Sequence, residues 1–221
     1  PMPAVRRYAV TAGIFAVAYV AFSLTVAADV LHRFDLAVAI SFNTIYVPAL
    51  LPVFRFIALL GGIELTGLLS LGLFFYLWRQ GYRLGAFAAA ALPLSSLVEL
   101  VYKHTIYHPA PSSLAHPDGP SFATLLANVA GTEWSFPSGH MTRALVIYGL
   151  LAFVVIRLAN RPLLRRLALP LALGIVVMEA FDRLYLEVHW ESDVIGGFLL
   201  GATFLAAAIS WLEWSEARTV E

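Results

Sequence analysis

The 221-residue chain contains no cysteine, a single lysine and few charged residues of either sign. The absence of cysteine excludes disulfides, thiolate metal sites and a cysteine nucleophile. Charged residues make up 13% of the chain, about half of the roughly 25% that is usual in soluble domains. The 14 basic and 14 acidic side chains cancel, so we expect no nucleic-acid partner, because binding to phosphate backbones needs a basic surplus.

Apolar residues dominate instead, at 60% of the chain with a mean hydropathy of +0.80. Six membrane helices of about 20 residues would use about 120 residues and leave short loops. Long apolar runs bounded by charge, proline or glycine predict six spans, at 8–29, 56–78, 84–103, 141–159, 167–187 and 193–212. The sequence therefore predicts one all-α domain over residues 1–221, a bundle of six transmembrane helices.

The first apolar run has a second interpretation, a signal peptide, because Arg6 and Arg7 precede it. Its length exceeds the usual apolar region of about 7–15 residues, which favours an uncleaved anchor. The paired arginines are too common to establish a twin-arginine export signal.

The arginines also predict the orientation of the bundle in a cell membrane. If both termini are cytoplasmic, nine basic residues fall on the inner side and five on the outer side, in agreement with the positive-inside rule. The outer connections are longer and more polar, so we expect the functional chemistry there. One outer segment, 30–55, contains Asp35, Asn43 and Pro48 among apolar residues and predicts an interfacial helix followed by a break.

Three outer helix ends carry polar residues at one membrane depth, where ionisable groups are costly and indicate a site. Lys103 and Arg183 supply positive charge. The backbone amides of Ser138 and Gly139, just before a predicted helix, supply oriented donors. Together these groups predict a pocket for an anion.

Two histidines add chemistry to this pocket. His189 and Asp193 are four residues apart, so in a helix the carboxylate can hold one ring nitrogen while the other faces the pocket. Such an imidazole is a nucleophile, and His140 beside it is a candidate general acid. The set predicts phosphoryl transfer through a phosphohistidine, with no metal or other cofactor required.

Three segments carry these residues: KHTIYHPAP from Lys103 to Pro111, FPSGH ending at His140, and DRLYLEVHWESD ending at Asp193. They resemble the motifs K-x6-RP, PSGH and SR-x5-H-x3-D of the type 2 phosphatidic acid phosphatase family of membrane lipid phosphatases. The resemblance implies that His189 is the nucleophile and Asp193 its partner. It also implies that His140 is the general acid. The residues that bind the phosphate would be Lys103, Ser138, Gly139 and Arg183.

The first motif departs from the family pattern, because Ala110 stands where the family has arginine. Loss of one preorganised donor typically costs about 10²–10³ in rate, which predicts a slow enzyme, a substitute ligand or a variant made to trap a bound state. Arg143 is the candidate substitute, with a lipid headgroup or Glu133 as its alternative partners. His108 and Pro111 are further accessory residues of this segment.

Several residues have simpler interpretations. Lys103 follows Glu99 by four residues, the spacing of a helical ion pair. Asp182, which replaces the serine of the third motif, either substitutes for a polar group or pairs with an arginine. Tryptophans near span ends, such as Trp190, predict interfacial anchors. A zinc site at His104, His108 and His116 is disfavoured, because a solvent-exposed loop histidine is the commoner case.

The resemblance and the residues together predict a membrane lipid phosphatase that removes a terminal phosphate from a lipid phosphate or diphosphate. Arginine-rich, lysine-poor usage is typical of bacteria, which favours a polyprenyl diphosphate or phosphatidylglycerol phosphate as substrate. Rival interpretations are a phosphotransferase that uses the same site, an inactive lipid-phosphate binder, and a transporter or scaffold. The sequence predicts contact with membrane lipids and no particular oligomeric state.

Overall fold

A computed structural model describes residues 2–111 and 134–219, and these ranges are helical. The helices are α1 Met2–Ala27, α2 His32–Thr44, α3 Leu51–Gly61, α4 Ile63–Arg79, α5 Ala91–Thr105, α6 Gly139–Leu158, α7 Pro162–Tyr185 and α8 Glu191–Thr219. Two 3-10 turns, Pro48–Leu50 and Gly85–Ala90, precede α3 and α5. The β-type pairing in the described ranges is a single bridge between Pro109 and Trp134, so the all-α prediction is confirmed for them.

Five stretches in the described part of the chain are long and apolar enough to cross a membrane. They are Ala4–Ala27, Pro48–Arg79, Gly85–Thr105, Gly139–Leu158 and Glu191–Arg218. These stretches correspond to five of the six predicted spans. The sixth predicted span, 167–187, lies in α7, which carries charged residues near both ends and is not among the five. Its passage through the membrane stays a prediction.

The second apolar stretch differs from its predicted start at residue 56. It begins at Pro48 and contains a break at Gly62, where an extended ψ of 149° separates α3 from α4. The preceding residue, Gly61, packs tightly on α7, because a Cβ there would lie 2.6 Å from Glu179 Oε2. The helix predicted in segment 30–55 is present as α2 and ends at Thr44, and its position at the membrane interface stays a prediction.

Helix α6 forms the centre of the bundle, packed between α7 and α8, while α1 packs along α8. The side chains of α6 are largely buried, and Ala144, Ile147 and Leu150 belong to the main apolar core. Large apolar side chains are exposed on the outward faces of the bundle, for example Val17 on α1 at 72% and Leu68 on α4 at 66%. An apolar exterior of this extent is typical of a surface that faces lipid.

Candidate active site

The three sequence motifs meet at one end of the bundle. Lys103 lies in the last turn of α5, Ser138 caps α6, and Arg183 lies in the last turn of α7. His189 follows α7 in the turn that leads into α8. The positive charges of Lys103 and Arg183 both act on the His189 imidazole and on His140, so the predicted pocket residues share one electrostatic environment.

His189 is oriented by Asp193, as its spacing predicts. Nδ1 of His189 lies 3.2 Å from Oδ2 of Asp193, and the Trp190 amide donates to the same oxygen at 2.9 Å. Because a buried carboxylate accepts hydrogen bonds, Nδ1 carries the proton and Nε2 carries the lone pair. Asp193 is fully buried, which limits its motion. The arrangement leaves the lone pair of His189 on Nε2, the atom that the sequence predicts as the nucleophile.

Burial lowers the pKa of His189 below its ordinary value. The hydrogen bond and the charge of Asp193 oppose this shift, whereas Lys103 and Arg183 add to it. The imidazole is therefore neutral at pH 7, the form that a nucleophile needs.

The N-terminus of α6 differs in one respect from expectation. The Ser138 hydroxyl caps the helix by accepting from the Met141 amide at 3.5 Å. The Ser138 amide, expected as a donor to an anion, instead donates to the Asp193 carbonyl at 3.0 Å. The amide of Gly139 is the first of the helix, and first-turn amides lack partners within a helix. The Gly139 amide therefore stays the predicted backbone donor to an anion at this position.

Glu99 links two cations beside the helix start. Its Oε1 lies 3.4 Å from Lys103 Nζ, so the ion pair expected from the spacing is present. Its Oε2 accepts from Arg143 Nη1 at 3.1 Å, and Arg143 Nε donates to the Gly61 carbonyl at 3.1 Å. A Cβ at Gly139 would overlap the ends of Glu99 and Arg143. Only glycine fits at this point.

The guanidinium of Arg143 lies beside Gly139, and its role as a substitute for the missing arginine stays a prediction. Arg143 is 5% exposed and its guanidinium holds α3 and α5 together through Glu99 and Gly61. Glu133, one of the partners considered for it, lies outside the described residues.

Asp182 pairs with its neighbour Arg183. Nε of Arg183 donates to Oδ2 of Asp182 at 2.9 Å, and Nη2 donates to the same oxygen. The two side chains are 1% and 0% exposed. Of the two interpretations of Asp182, pairing with an arginine is the one observed, and it offsets part of the positive charge at Arg183.

The first motif is bound to the third. His108 Nε2 lies 3.1 Å from Ser192 Oγ and 3.5 Å from Asp193 Oδ1. The Trp190 indole donates to the Pro109 carbonyl at 2.7 Å, so Trp190 contacts the site in addition to its expected position near a span end. Ala110 is exposed.

Pro111, the last residue of the first motif, is buried. It lines a narrow crevice together with His189 and Asp35. This accessory residue therefore lies beside the proposed nucleophile.

The sequence patterns predict no role in this network for Asp35 or Ser192. Asp35, on α2, is 1% exposed and accepts from the Ser192 amide and from the Ser192 hydroxyl, both at 2.8 Å. Burial raises the pKa of Asp35, and the two bonds from Ser192 oppose that shift. The only sequence signal was a carboxylate within an otherwise apolar segment.

The loop histidines do not converge in the described part of the chain. His104 is exposed and its Nδ1 donates to the Leu100 carbonyl at 2.8 Å, whereas His108 points toward Ser192. His116 lies outside the described residues. Among the residues described, no group of three or more histidine, cysteine, aspartate or glutamate side chains has the geometry to hold a metal ion.

The three motifs lie in a region that matches a known protein superfamily. Residues 81–217 match the PAP2 superfamily. The chain belongs to the PAP2 superfamily. This membership confirms the family resemblance found in the three motifs, and the matched region of this PAP2 protein contains all of them.

Two curated relatives align with parts of this PAP2 chain. Phosphatidylglycerophosphatase B of Bacillus subtilis is 36% identical over 85 residues, which are 37% of this chain and 39% of the relative. An undecaprenyl-diphosphatase of Sulfolobus acidocaldarius is 27% identical over 137 residues, 60% of this chain and 58% of the relative. The aligned segments therefore span less than two thirds of either relative.

A solved structure covers nearly the whole PAP2 chain. The crystal structure of a transmembrane PAP2-type phosphatidylglycerolphosphate phosphatase from Bacillus subtilis superposes with a TM-score of 0.72 at 23% identity, over 96% of this chain and 98% of the other. The likeness establishes a shared fold. With its apolar helices, this PAP2 chain is a multi-pass membrane protein.

Proposed function

We propose that the protein is a lipid phosphatase that hydrolyses the terminal phosphate of a lipid phosphate or diphosphate at the His189 site. The observation that carries the proposal is the oriented His189–Asp193 pair, set within the positive field of Lys103 and Arg183. The names of the two curated relatives support phosphatidylglycerol phosphate and a polyprenyl diphosphate as substrates.

In the first step, Nε2 of His189 attacks phosphorus and the bond to the leaving oxygen breaks. Asp193 stabilises the imidazolium that forms, because its carboxylate holds the Nδ1 proton. His140 donates a proton to the leaving oxygen as general acid. Lys103, Arg183 and the Gly139 amide bind the phosphoryl oxygens, whose negative charge they offset.

In the second step, water attacks the phosphohistidine. The neutral His140 left by the first step accepts a proton from that water, by the reverse of its earlier role. The bond between phosphorus and Nε2 breaks, inorganic phosphate leaves and His189 returns to its neutral form. No metal ion takes part in either step.

Ala110 lowers the expected rate. It leaves the first motif without the family's arginine, and the guanidinium of Arg143 already binds Glu99 and Gly61. The same observation favours a second candidate function, a lipid-phosphate binder with little or no turnover. A phosphotransferase that passes the phosphoryl group to a second acceptor would use the same residues.

We further propose six membrane crossings, both termini in the cytoplasm and a site open to the outer leaflet. Helix α7 has 24 residues, which at about 1.5 Å per residue is long enough for a hydrocarbon core of about 30 Å. Helix α2 would lie along the outer interface, and the lipid tail would enter sideways between helices.

Phosphate release in detergent tests the enzyme proposal. The purified chain is incubated with a panel of lipid phosphates and diphosphates in the presence of EDTA, beside His189→Ala and a matched control, His104→Ala. His104 is exposed at the same end of the bundle, so its loss should leave release unchanged, whereas His189→Ala should abolish it. Equal release from the His189 variant would contradict the nucleophile assignment, and binding without release from any lipid would favour the binder.

A further inference from the structure

The carboxylate of Asp35 binds both donors of Ser192. The Ser192 amide donates to Oδ1 and the Ser192 hydroxyl donates to Oδ2, each at 2.8 Å. The residues are 157 positions apart in the chain, and both are fully buried. An ionised carboxylate has no proton to give, so the hydroxyl proton of Ser192 must lie on the side of Asp35.

This determines which ring nitrogen of a neutral His108 carries the proton. Since the hydroxyl proton of Ser192 points to Asp35, its oxygen can only accept from His108 Nε2, 3.1 Å away. The proton of a neutral His108 therefore lies on Nε2. The same N–H group faces Oδ1 of Asp193 at 3.5 Å.

Oδ1 of Asp193 is the free side of the carboxylate that orients His189. Oδ2 of Asp193 already accepts from His189 and from the Trp190 amide. Within the described residues Oδ1 is buried and has no donor at full hydrogen-bond geometry. The Nε2 proton of His108 is then the group that attracts Oδ1, and it resists rotation of the carboxylate away from His189.

We propose that Asp35 is a positioning residue for the His189–Asp193 pair and acts through the proton positions of Ser192 and His108. The order of contacts is Asp35, Ser192, His108 and Asp193. The consequence for catalysis rests on the proposed phosphatase function. Asp35 lies on α2 and the pair lies at the start of α8, so a helix outside the matched family region sets the geometry of the nucleophile.

A simple anchor for α2 is the competing role, and two substitutions separate the roles. In Asp35→Asn the carbonyl oxygen still accepts from the Ser192 amide, but the amide group donates to the Ser192 oxygen. The hydroxyl proton then turns toward His108 Nε2 and favours the proton of His108 on Nδ1. In Ser192→Ala the hydroxyl is absent, and the charge of Asp193 keeps the His108 proton on Nε2.

The kinetic test compares Asp35→Asn, Ser192→Ala and the double variant for release of phosphate from a lipid phosphate in detergent. We expect Asp35→Asn to lower kcat about tenfold with KM within about twofold, the effect of one lost charge-assisted hydrogen bond. Adding Ser192→Ala should restore kcat to within about threefold of the parent chain. An anchoring role predicts the opposite, a double variant that is slower and less stable than either single one, and that result overturns the proposal.

A second readout does not depend on activity. Nitrogen-15 NMR of histidine-labelled protein in detergent distinguishes the two neutral forms of an imidazole, and comparison with His108→Gln assigns the signal of His108. We expect the Nε2 proton in the parent chain, the Nδ1 proton in Asp35→Asn and the Nε2 proton again in the double variant. An Nδ1 proton in the parent overturns the inference. If the proton positions are as expected but no lipid phosphate is cleaved, the proposed function fails and the contact order stands.

Discussion

The amide of Ser138, at the start of α6, donates to the carbonyl of Asp193, in the first turn of α8, at 3.0 Å. The bond joins the second motif to the third through the backbone. Since Asp193 also orients His189, the helix N-terminus that would bind a phosphate and the imidazole that would attack it are held by one residue. Displacement of either helix end would therefore disturb both.

Asp193→Asn should keep the shape of the site and remove its charge. The amide cannot stabilise the imidazolium of His189, so we expect phosphate release to fall by roughly 10⁴, as for the buried aspartate of hydrolase triads. The control is Asp29→Asn, an exposed residue with φ of 55°, a conformation that asparagine tolerates. Normal release from Asp193→Asn would show that the carboxylate does not assist His189.

Ala110→Arg should raise activity. It restores the family's cation at an exposed position, and the usual contribution of one preorganised donor predicts an increase in the rate of about 10²–10³-fold. Ala110→Gln supplies similar length without charge and should show little change. If the arginine variant gains no more than the glutamine variant, the missing charge does not limit the rate.

The acid limb of the pH dependence of kcat/KM should reflect the protonation of His189. Its neutral form attacks, and its pKa is lowered by burial and by the charge of Lys103, so kcat/KM should persist below pH 6.5 and fall only at lower pH. Lys103→Met removes a positive charge, which raises the pKa of His189 and should move the limb to higher pH, while Lys103→Arg should leave it in place. Ionisation of the substrate is common to all three, so an unchanged limb in Lys103→Met would contradict the assignment.

Gly139→Ala should be destabilising. A Cβ there would overlap Glu99 and Arg143, and overpacking typically costs about 1–3 kcal/mol. We expect a lower Tm in detergent and reduced phosphate release. Gly72→Ala is the matched control, since no atom lies within 4 Å of a Cβ at that helical position. Equal Tm values for the two variants would show that the contact between α5 and α6 is looser than described.

The absence of cysteine allows a direct test of orientation. Single cysteines at Tyr107 and at Asn160, both exposed and at opposite ends of the bundle, are treated with a membrane-impermeant maleimide in intact cells. In intact cells, the proposed topology predicts labelling of Tyr107→Cys and no labelling of Asn160→Cys. After the membrane is permeabilised, Asn160→Cys should be labelled as well. The reverse pattern would place the site on the cytoplasmic side.

The sequence predicted the helices and the motif residues because both depend on local pattern. The apolar runs predicted the bounds of α6 to within a few residues. The spacing of His189 and Asp193 predicted their contact. The break at Gly62 was missed, because it depends on how closely α3 approaches α7, a property of packing. Asp35 was missed for a related reason, since nothing in the order of residues links it to Ser192 across 157 positions.

In the proposed topology, helix α7 carries a free-energy cost of membrane insertion that arises before the protein is folded. It contains Glu179, Asp182 and Arg183 within its last two turns, and a charged residue costs up to about 3 kcal/mol when a lone helix partitions into the bilayer. In the finished bundle Asp182 pairs with Arg183 and the helix packs against α6. The Asp182–Arg183 pair forms within α7 itself, but the packing against α6 exists only when that helix is in the membrane beside it. With the proposed topology, stable insertion of α7 should therefore depend on α6 and α8, and chains truncated after Tyr185 should be degraded.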